Sequence, residues 1–221
     1  MEVQVMKNIL GENEEIADNN KKMFDYARIY VLNLMGSPGA GKTCLLEKTI
    51  RNLKDKVRLA VIEGDLFTDK DAARIEKLGA PVVQINTVGG CHLDAAMVEK
   101  AADKLNLEEL DLIIVENVGN LVCPTEFAVG EDEKAVVLSI AEGDDKPAKY
   151  PLIFKESAIC LLNKVDLLEH CDFNMEEAKK DISALHPGMD TIEISCKKDT
   201  GIKEWCDWLV KRVEAKKGGA Q

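Results

Sequence analysis

The octapeptide Gly36-Ser37-Pro38-Gly39-Ala40-Gly41-Lys42-Thr43 constrains this chain more than any other feature. It fits the pattern G-x-x-x-x-G-K-[ST] and lies between Ile29-Tyr30-Val31-Leu32-Asn33-Leu34, an apolar run of strand length, and a helical alternation from Lys42 to Leu53. Gly39 and Gly41 let the backbone curl so that successive N–H groups face an anion, and the helix starting near Lys42 adds its positive dipole end. Lys42 can then neutralise β- and γ-phosphate charge, while Thr43 offers magnesium the hard oxygen ligand it prefers.

The alternation continues along the chain. Strands are predicted at Val57 to Ile62, Val82 to Ile85, Leu112 to Val115, Ala135 to Ile140, Ala158 to Leu162 and Thr191 to Ile194. Helices are predicted at Asp71 to Leu78, His92 to Leu105, Glu176 to Leu185 and Ile202 to Ala215. Strands that alternate with helices imply a mostly parallel sheet covered on both faces, an α/β domain of three layers, whose ligands bind beyond the carboxyl ends of the strands.

Residues 3 to about 26 read as an amphipathic helix with Val5, Ile9, Ile16 and Met23 on its apolar face, broken by Gly11. The expected organisation is an amino-terminal helical segment over 1–27, a nucleotide-binding domain over 28–215 and a frayed tail over 216–221.

Composition narrows the partners. The 29 Lys and Arg against 40 Asp and Glu give a formal net charge of −11 with no basic cluster, which excludes nucleic acid as a general partner. Apolar residues at 46% are too many for intrinsic disorder, and no apolar run reaches the roughly 20 residues of a membrane span. The opening Met1-Glu2-Val3-Gln4 lacks a signal-peptide layout, and seven scattered cysteines read as reduced thiols, so a cytoplasmic protein is expected.

Two carboxylates can complete a magnesium shell: Asp65 beyond the second strand and Glu116 beyond the fourth, with Gly119 placed to offer its N–H to a γ-phosphate. Lys42, Asp65 and Glu116 form the candidate catalytic set, and Asp69 and Asp71 are candidates to position a water. Each carboxylate also has a plain reading as a cap or a solvated loop charge.

Asn163-Lys164-Val165-Asp166 follows another apolar strand. An ionised Asp166 only accepts hydrogen bonds, so it suits a base edge with two donors, as guanine offers and adenine does not. Asn163 would tie this loop to the phosphate loop and the Lys164 stem would lie over the base. Ala40, Cys44 and Cys196, of the later Ser195-Cys196-Lys197, complete the candidate nucleotide-binding positions, although the Cys44, Cys160 and Cys206 thiols read as core.

Cys91-His92 and Cys123 fall in loops on the same sheet edge. Thiolate and imidazole are ligands for zinc, nickel or copper, and three of them on one chain leave a fourth position for a second chain. The alternative is that both cysteines are small buried apolar residues and that His92 caps the helix starting there.

Gly36 to Thr43, Gly64-Asp65, Thr87-Val88-Gly89-Gly90-Cys91-His92-Leu93-Asp94-Ala95, Glu116 to Pro124, Glu142-Gly143-Asp144-Asp145-Lys146-Pro147 and Asn163 to Asp166 together resemble the HypB family, the GTPases of nickel-iron hydrogenase maturation. The resemblance covers nearly the whole chain. It implies a P-loop NTPase fold and a GTP- and magnesium-dependent homodimer that works with hydrogenase maturation factors and the hydrogenase large subunit. It also implies nickel or zinc at Cys91, His92 and Cys123. Some members of that family hold nickel on an amino-terminal cysteine motif or histidine stretch, whereas residues 1 to 30 here contain neither Cys nor His. The alternatives are the nickel GTPase of urease maturation, a GTP-binding regulatory module without turnover, and a small-molecule kinase.

Overall fold

The computed structural model describes residues 2–65 and 74–218, with side chains from residue 10 onward. Seven strands, β1 Tyr30–Gly36, β2 Leu59–Asp65, β3 Val82–Asn86, β4 Leu112–Glu116, β5 Glu133–Ser139, β6 Ile159–Asn163 and β7 Asp190–Ile194, form one sheet in the order β3-β2-β4-β1-β5-β6-β7. Every neighbouring pair is parallel. The helices are α1 Glu2–Tyr26, α2 Lys42–Leu53, α3 Ala95–Ala102, α4 Cys123–Glu126, α5 Lys146–Lys149, α6 Pro151–Glu156, α7 Met175–Leu185 and α8 Ile202–Gly218.

Side-chain alternation along each strand makes the three layers. Leu32, Leu34, Leu112, Ile114 and Val137 face Leu45, Leu46 and Ile50 of α2 and Trp205 and Leu209 of α8. On the opposite face, Val31, Ile113 and Val115 meet Phe24 of α1 and Val98 of α3. Val136, Leu138, Cys160 and Leu162 meet Phe154 and Ile182 farther along that face.

Several boundaries differ from the sequence expectation. Strand β2 continues past Ile62 because Glu63, a charge that reads as a strand end, is only 2% exposed and stands in register with Glu116 of β4. Helix α1 runs through Gly11 without a break. That glycine lies on the exposed face, and its helix penalty of about 1 kcal/mol is offset by packing of the opposite stripe. The buried stripe is Asn13, Ala17, Asn20 and Phe24 rather than one through Ile16 and Met23, which are half-buried; Val5 and Ile9 lie outside the described side chains. Asn13 donates to Ala128 O at 2.9 Å and accepts from Ala95 N at 2.9 Å. Asn20 donates to Ala95 O and Val129 O.

Helix α8 also continues through Gly218, where fraying from Lys216 was expected. Lys216 pairs with Asp25 and Asp132, and Lys217 pairs with Asp111, so the last turn is fastened at three carboxylates. The expected helix over Asp71 to Leu78 falls partly outside the described residues, as do Asp69 and Asp71.

Asp111 fastens the end of the sheet away from the phosphate loop. Its side chain accepts from the Arg58 main-chain N–H at 3.0 Å, from the Arg58 guanidinium and from Lys217. Burial alone would raise its pKa, but these donors hold the carboxyl well below the usual carboxylate range. A depressed carboxyl stabilises the fold above its unfolded pKa, near 3.8, and that contribution is lost as pH falls through the folded value. The Asp111→Ala variant is expected to lose about 2 kcal/mol at pH 7, a moderate figure because Arg58 and Lys217 are half exposed. Urea midpoints at pH 7 and at pH 3 test this: the gap between wild type and variant should narrow in acid, and an equal gap at both pH values would contradict it.

Candidate nucleotide and metal site

The loop from Ser37 to Gly41 leaves the carboxyl end of β1, the central strand, and enters α2 directly. Lys42 is 7% exposed, and its ammonium donates to Gly36 O at 3.2 Å and Ser37 O at 3.3 Å, which folds the side chain back over the loop. The Thr43 hydroxyl donates to Glu116 Oε1 at 2.9 Å, and Asp65 lines the same cavity of about 360 Å³ with Lys42, Thr43 and Glu116. Gly119 closes its far wall, where a Cβ would stand 2.8 Å from Pro38 N.

A second cavity, of about 310 Å³, adjoins the first through Gly41 and Cys44 and is lined further by Asn163, Lys164, Asp166 and Cys196. Asn163 donates to Ala40 O at 2.8 Å, and Lys164 donates to Gly39 O at 2.6 Å, so the Asn163–Asp166 loop is bolted to the phosphate loop. Gly41 has φ +99°, and a Cβ there would stand 2.5 Å from Asn163 Nδ2, so a side chain at this position would break that junction. The Ser195 hydroxyl donates to Asp166 Oδ1 at 2.6 Å and keeps the Asp166 carboxyl below its ordinary pKa, hence an ionised acceptor. The Cys44 side chain packs against the core cluster that contains Cys196, and the Cys196 thiol, pushed up to about 12 chiefly by burial, also hydrogen-bonds Cys44.

Around the rim, Cys91, His92 and Cys123 bring one ligand atom each within 4.8 Å of one another. The Cys91 Sγ lies 3.5 Å from His92 Nδ1, and the His92 ring stacks on Phe127 with centroids 3.9 Å apart. Partial burial lowers the His92 pKa, which favours the neutral imidazole that ligates metals. Hydrogen bonding with the Cys91 thiol, together with burial, raises the Cys123 pKa.

Residues 30–193 match the family described as CobW/HypB/UreG, nucleotide-binding domain. A hydrogenase maturation factor HypB from Azotobacter chroococcum mcd 1 is 46% identical over 97% of this chain and 70% of its own length. The chain belongs to the HypB family. The crystal structure of HypB from Helicobacter pylori in complex with nickel has a TM-score of 0.87 and 38% identity over 95% of this chain and 97% of that one. HypB from Archaeoglobus fulgidus has a TM-score of 0.86 and 34% identity over 92% and 99%. The seven-stranded parallel sheet of this HypB-family chain is thus that of the HypB P-loop NTPases.

Within this HypB-family chain, the expected helix start at His92 moves to Ala95, and the cap is Asp94, which accepts from Met97 N at 2.8 Å. His92 is left to the loop, so the alternative that made it a helix cap falls. Two residues around the site were not singled out from the sequence. Asn117, 1% exposed, accepts from Leu93 N at 3.0 Å and donates to Asn33 Oδ1 at 3.1 Å, joining the Cys91-His92 loop to β1. Arg74 lines the phosphate cavity and pairs with Glu47 at 2.7 Å. Only the Asn117 position carries a sequence signal, the polar residue directly after a buried strand.

Proposed function

We propose that this chain binds and hydrolyses GTP, dimerises with it, and thereby controls a nickel- or zinc-binding site that serves nickel insertion into nickel-iron hydrogenase. One observation carries the reading: a single short segment, Glu116 to Cys123, begins at the Thr43 hydroxyl, passes against the phosphate loop at Gly119 and ends at Cys123, whose thiol lies within 4.8 Å of ligand atoms of Cys91 and His92. Loss of a γ-phosphate commonly releases such segments, so hydrolysis can reach the metal site without a longer relay.

The donor set fits magnesium. Thr43, Glu116 and Asp65 are hard oxygen ligands around one cavity, and the ion would neutralise charge between the β- and γ-phosphates there. Lys42 adds the second positive charge, and the Asp166 carboxylate selects the guanine edge. Nickel or zinc is the cargo, and Cys91, His92 and Cys123 supply three ligands. Cys91 is exposed, and Val88 and Val122 beside the ligands are 81% and 49% exposed, so a second copy docking here would bury apolar surface while completing the set.

The test measures nickel and zinc binding by wild type and Cys123→Ala, each with GDP and with a non-hydrolysable GTP analogue, while solution mass is followed. Metal affinity that depends on the nucleotide, rises with dimer formation and drops at least about tenfold in the variant is the expected result. Binding that ignores nucleotide and survives the substitution would leave the cysteines structural.

A further inference from the structure

Asn120 lies outside the nucleotide-lining residues but bonds to three of the segments around them. Its main-chain N–H donates to Gly36 O at 3.1 Å, forming an isolated antiparallel bridge to the start of the phosphate loop. Its side-chain Nδ2 donates to Cys91 O at 3.4 Å, its Oδ1 accepts from Val122 N at 2.9 Å, and the side chain also hydrogen-bonds the Cys123 thiol. One residue is therefore bonded to the phosphate loop, to the loop bearing Cys91 and His92, and to the turn bearing Cys123.

The bond to Gly36 is shared. The same carbonyl accepts from Lys42 Nζ at 3.2 Å, so the lysine that meets phosphate and the amide that steers the ligand loops lean on one oxygen. A phosphate group that draws the ammonium towards itself leaves Gly36 O to Asn120 alone and strengthens the remaining bond, because a carbonyl that loses one donor is a better acceptor for the other. Gly119, pressed on Pro38, prevents the segment from taking up the change by sliding.

We infer that Asn120 is the positioning residue that transmits the nucleotide's state to the metal ligands, setting the spacing of Cys91 and Cys123 through its side-chain amide. The inference rests on the nucleotide-controlled metal site proposed above. Asn120 touches neither phosphate nor metal in this role; it acts through Gly36 on one side and through the Cys91 carbonyl and the Val122 turn on the other.

The experiment compares nickel dissociation constants of full-length wild type, Asn120→Ala and Asn120→Asp by calorimetry, each with GDP and with the non-hydrolysable GTP analogue. In wild type the two constants should differ by about tenfold, within the usual span of coupling between sites. In Asn120→Ala that ratio should fall below about twofold, and the effect of nickel on GDP affinity must fall by the same factor, because coupling is reciprocal. The main-chain bond to Gly36 survives the substitution, so GDP affinity without metal should stay within about twofold. Asn120→Asp keeps the acceptor for Val122 N and loses the donor to Cys91 O, so its ratio should also collapse. An undiminished ratio in Asn120→Ala overturns the role of Asn120 and leaves the switch standing; a wild-type ratio of one overturns both.

Discussion

Asp166→Asn is expected to lower GTP affinity by about 10³-fold while raising affinity for xanthosine triphosphate. An ionised carboxylate accepts from both N1–H and N2–H of guanine, and losing one charge-assisted bond and setting an amide donor against the other costs about 4 kcal/mol, roughly a thousandfold. Xanthine carries an oxygen where guanine carries N2, so the amide of asparagine, with one acceptor and one donor, matches it. Ser195 sharpens the effect, because its hydroxyl at 2.6 Å holds the carboxylate ionised and fixed. Competition of both nucleotides against a fluorescent GDP analogue reads the swap, and a variant that still prefers GTP would show that the base is not read here.

Lys42→Ala is expected to weaken GTP binding by about 10²- to 10⁴-fold, since the ammonium would be a charge-assisted donor to two phosphates at about 1.5–3 kcal/mol each, and GDP binding, with only one of those phosphates, by about 10- to 10²-fold. The fold should survive. Lys42 donates to the Gly36 and Ser37 carbonyls, and each keeps a main-chain donor, Asn120 N–H and Ala40 N–H respectively, once the side chain is gone. Equilibrium dialysis with labelled nucleotide, with circular dichroism as the control on folding, measures both halves of the expectation. Wild-type affinity in the variant would remove the octapeptide from the nucleotide site.

What could be read from the sequence was chemistry carried by consecutive residues. Gly36 to Thr43 and Asn163 to Asp166 hold their geometry within one turn of chain, and the structure brings them together through Asn163 and Ala40 as the spacing anticipated. Cys91, His92 and Cys123 were legible as ligand types, and their convergence followed from both loops leaving one sheet edge. Polar groups satisfied by distant partners were not legible. Asn13 and Asn20 lie outside the apolar face expected for α1, yet each is buried against main chain at Ala95 and at Ala128 or Val129, 75 to 115 residues away in sequence. The charge on Glu63 hid the last residues of β2, because burial of a carboxylate in register with Glu116 is not encoded locally, and the expected fraying at Lys216 ignored Asp25 of α1 and Asp132 just before β5. Asn120 was visible only as one letter of a motif; that its amide joins two loops depends on a turn that local pattern does not encode.

The strand order has a consequence for synthesis. Strand β1 is made well before its neighbours yet forms the middle of the finished sheet, since its pairing partners β4 and β5 begin only at Leu112 and Glu133. At about 5–20 residues per second, that leaves an apolar strand without either neighbour for roughly 4 to 16 seconds. Phe24 of α1, made just before β1, packs with Val31 in the native core, so that partner is already present while β4 and β5 are not. Shortening α1 is expected to lower the yield of soluble protein during translation, read as soluble against total product, because Phe24 is the helix's contribution to the core around Val31.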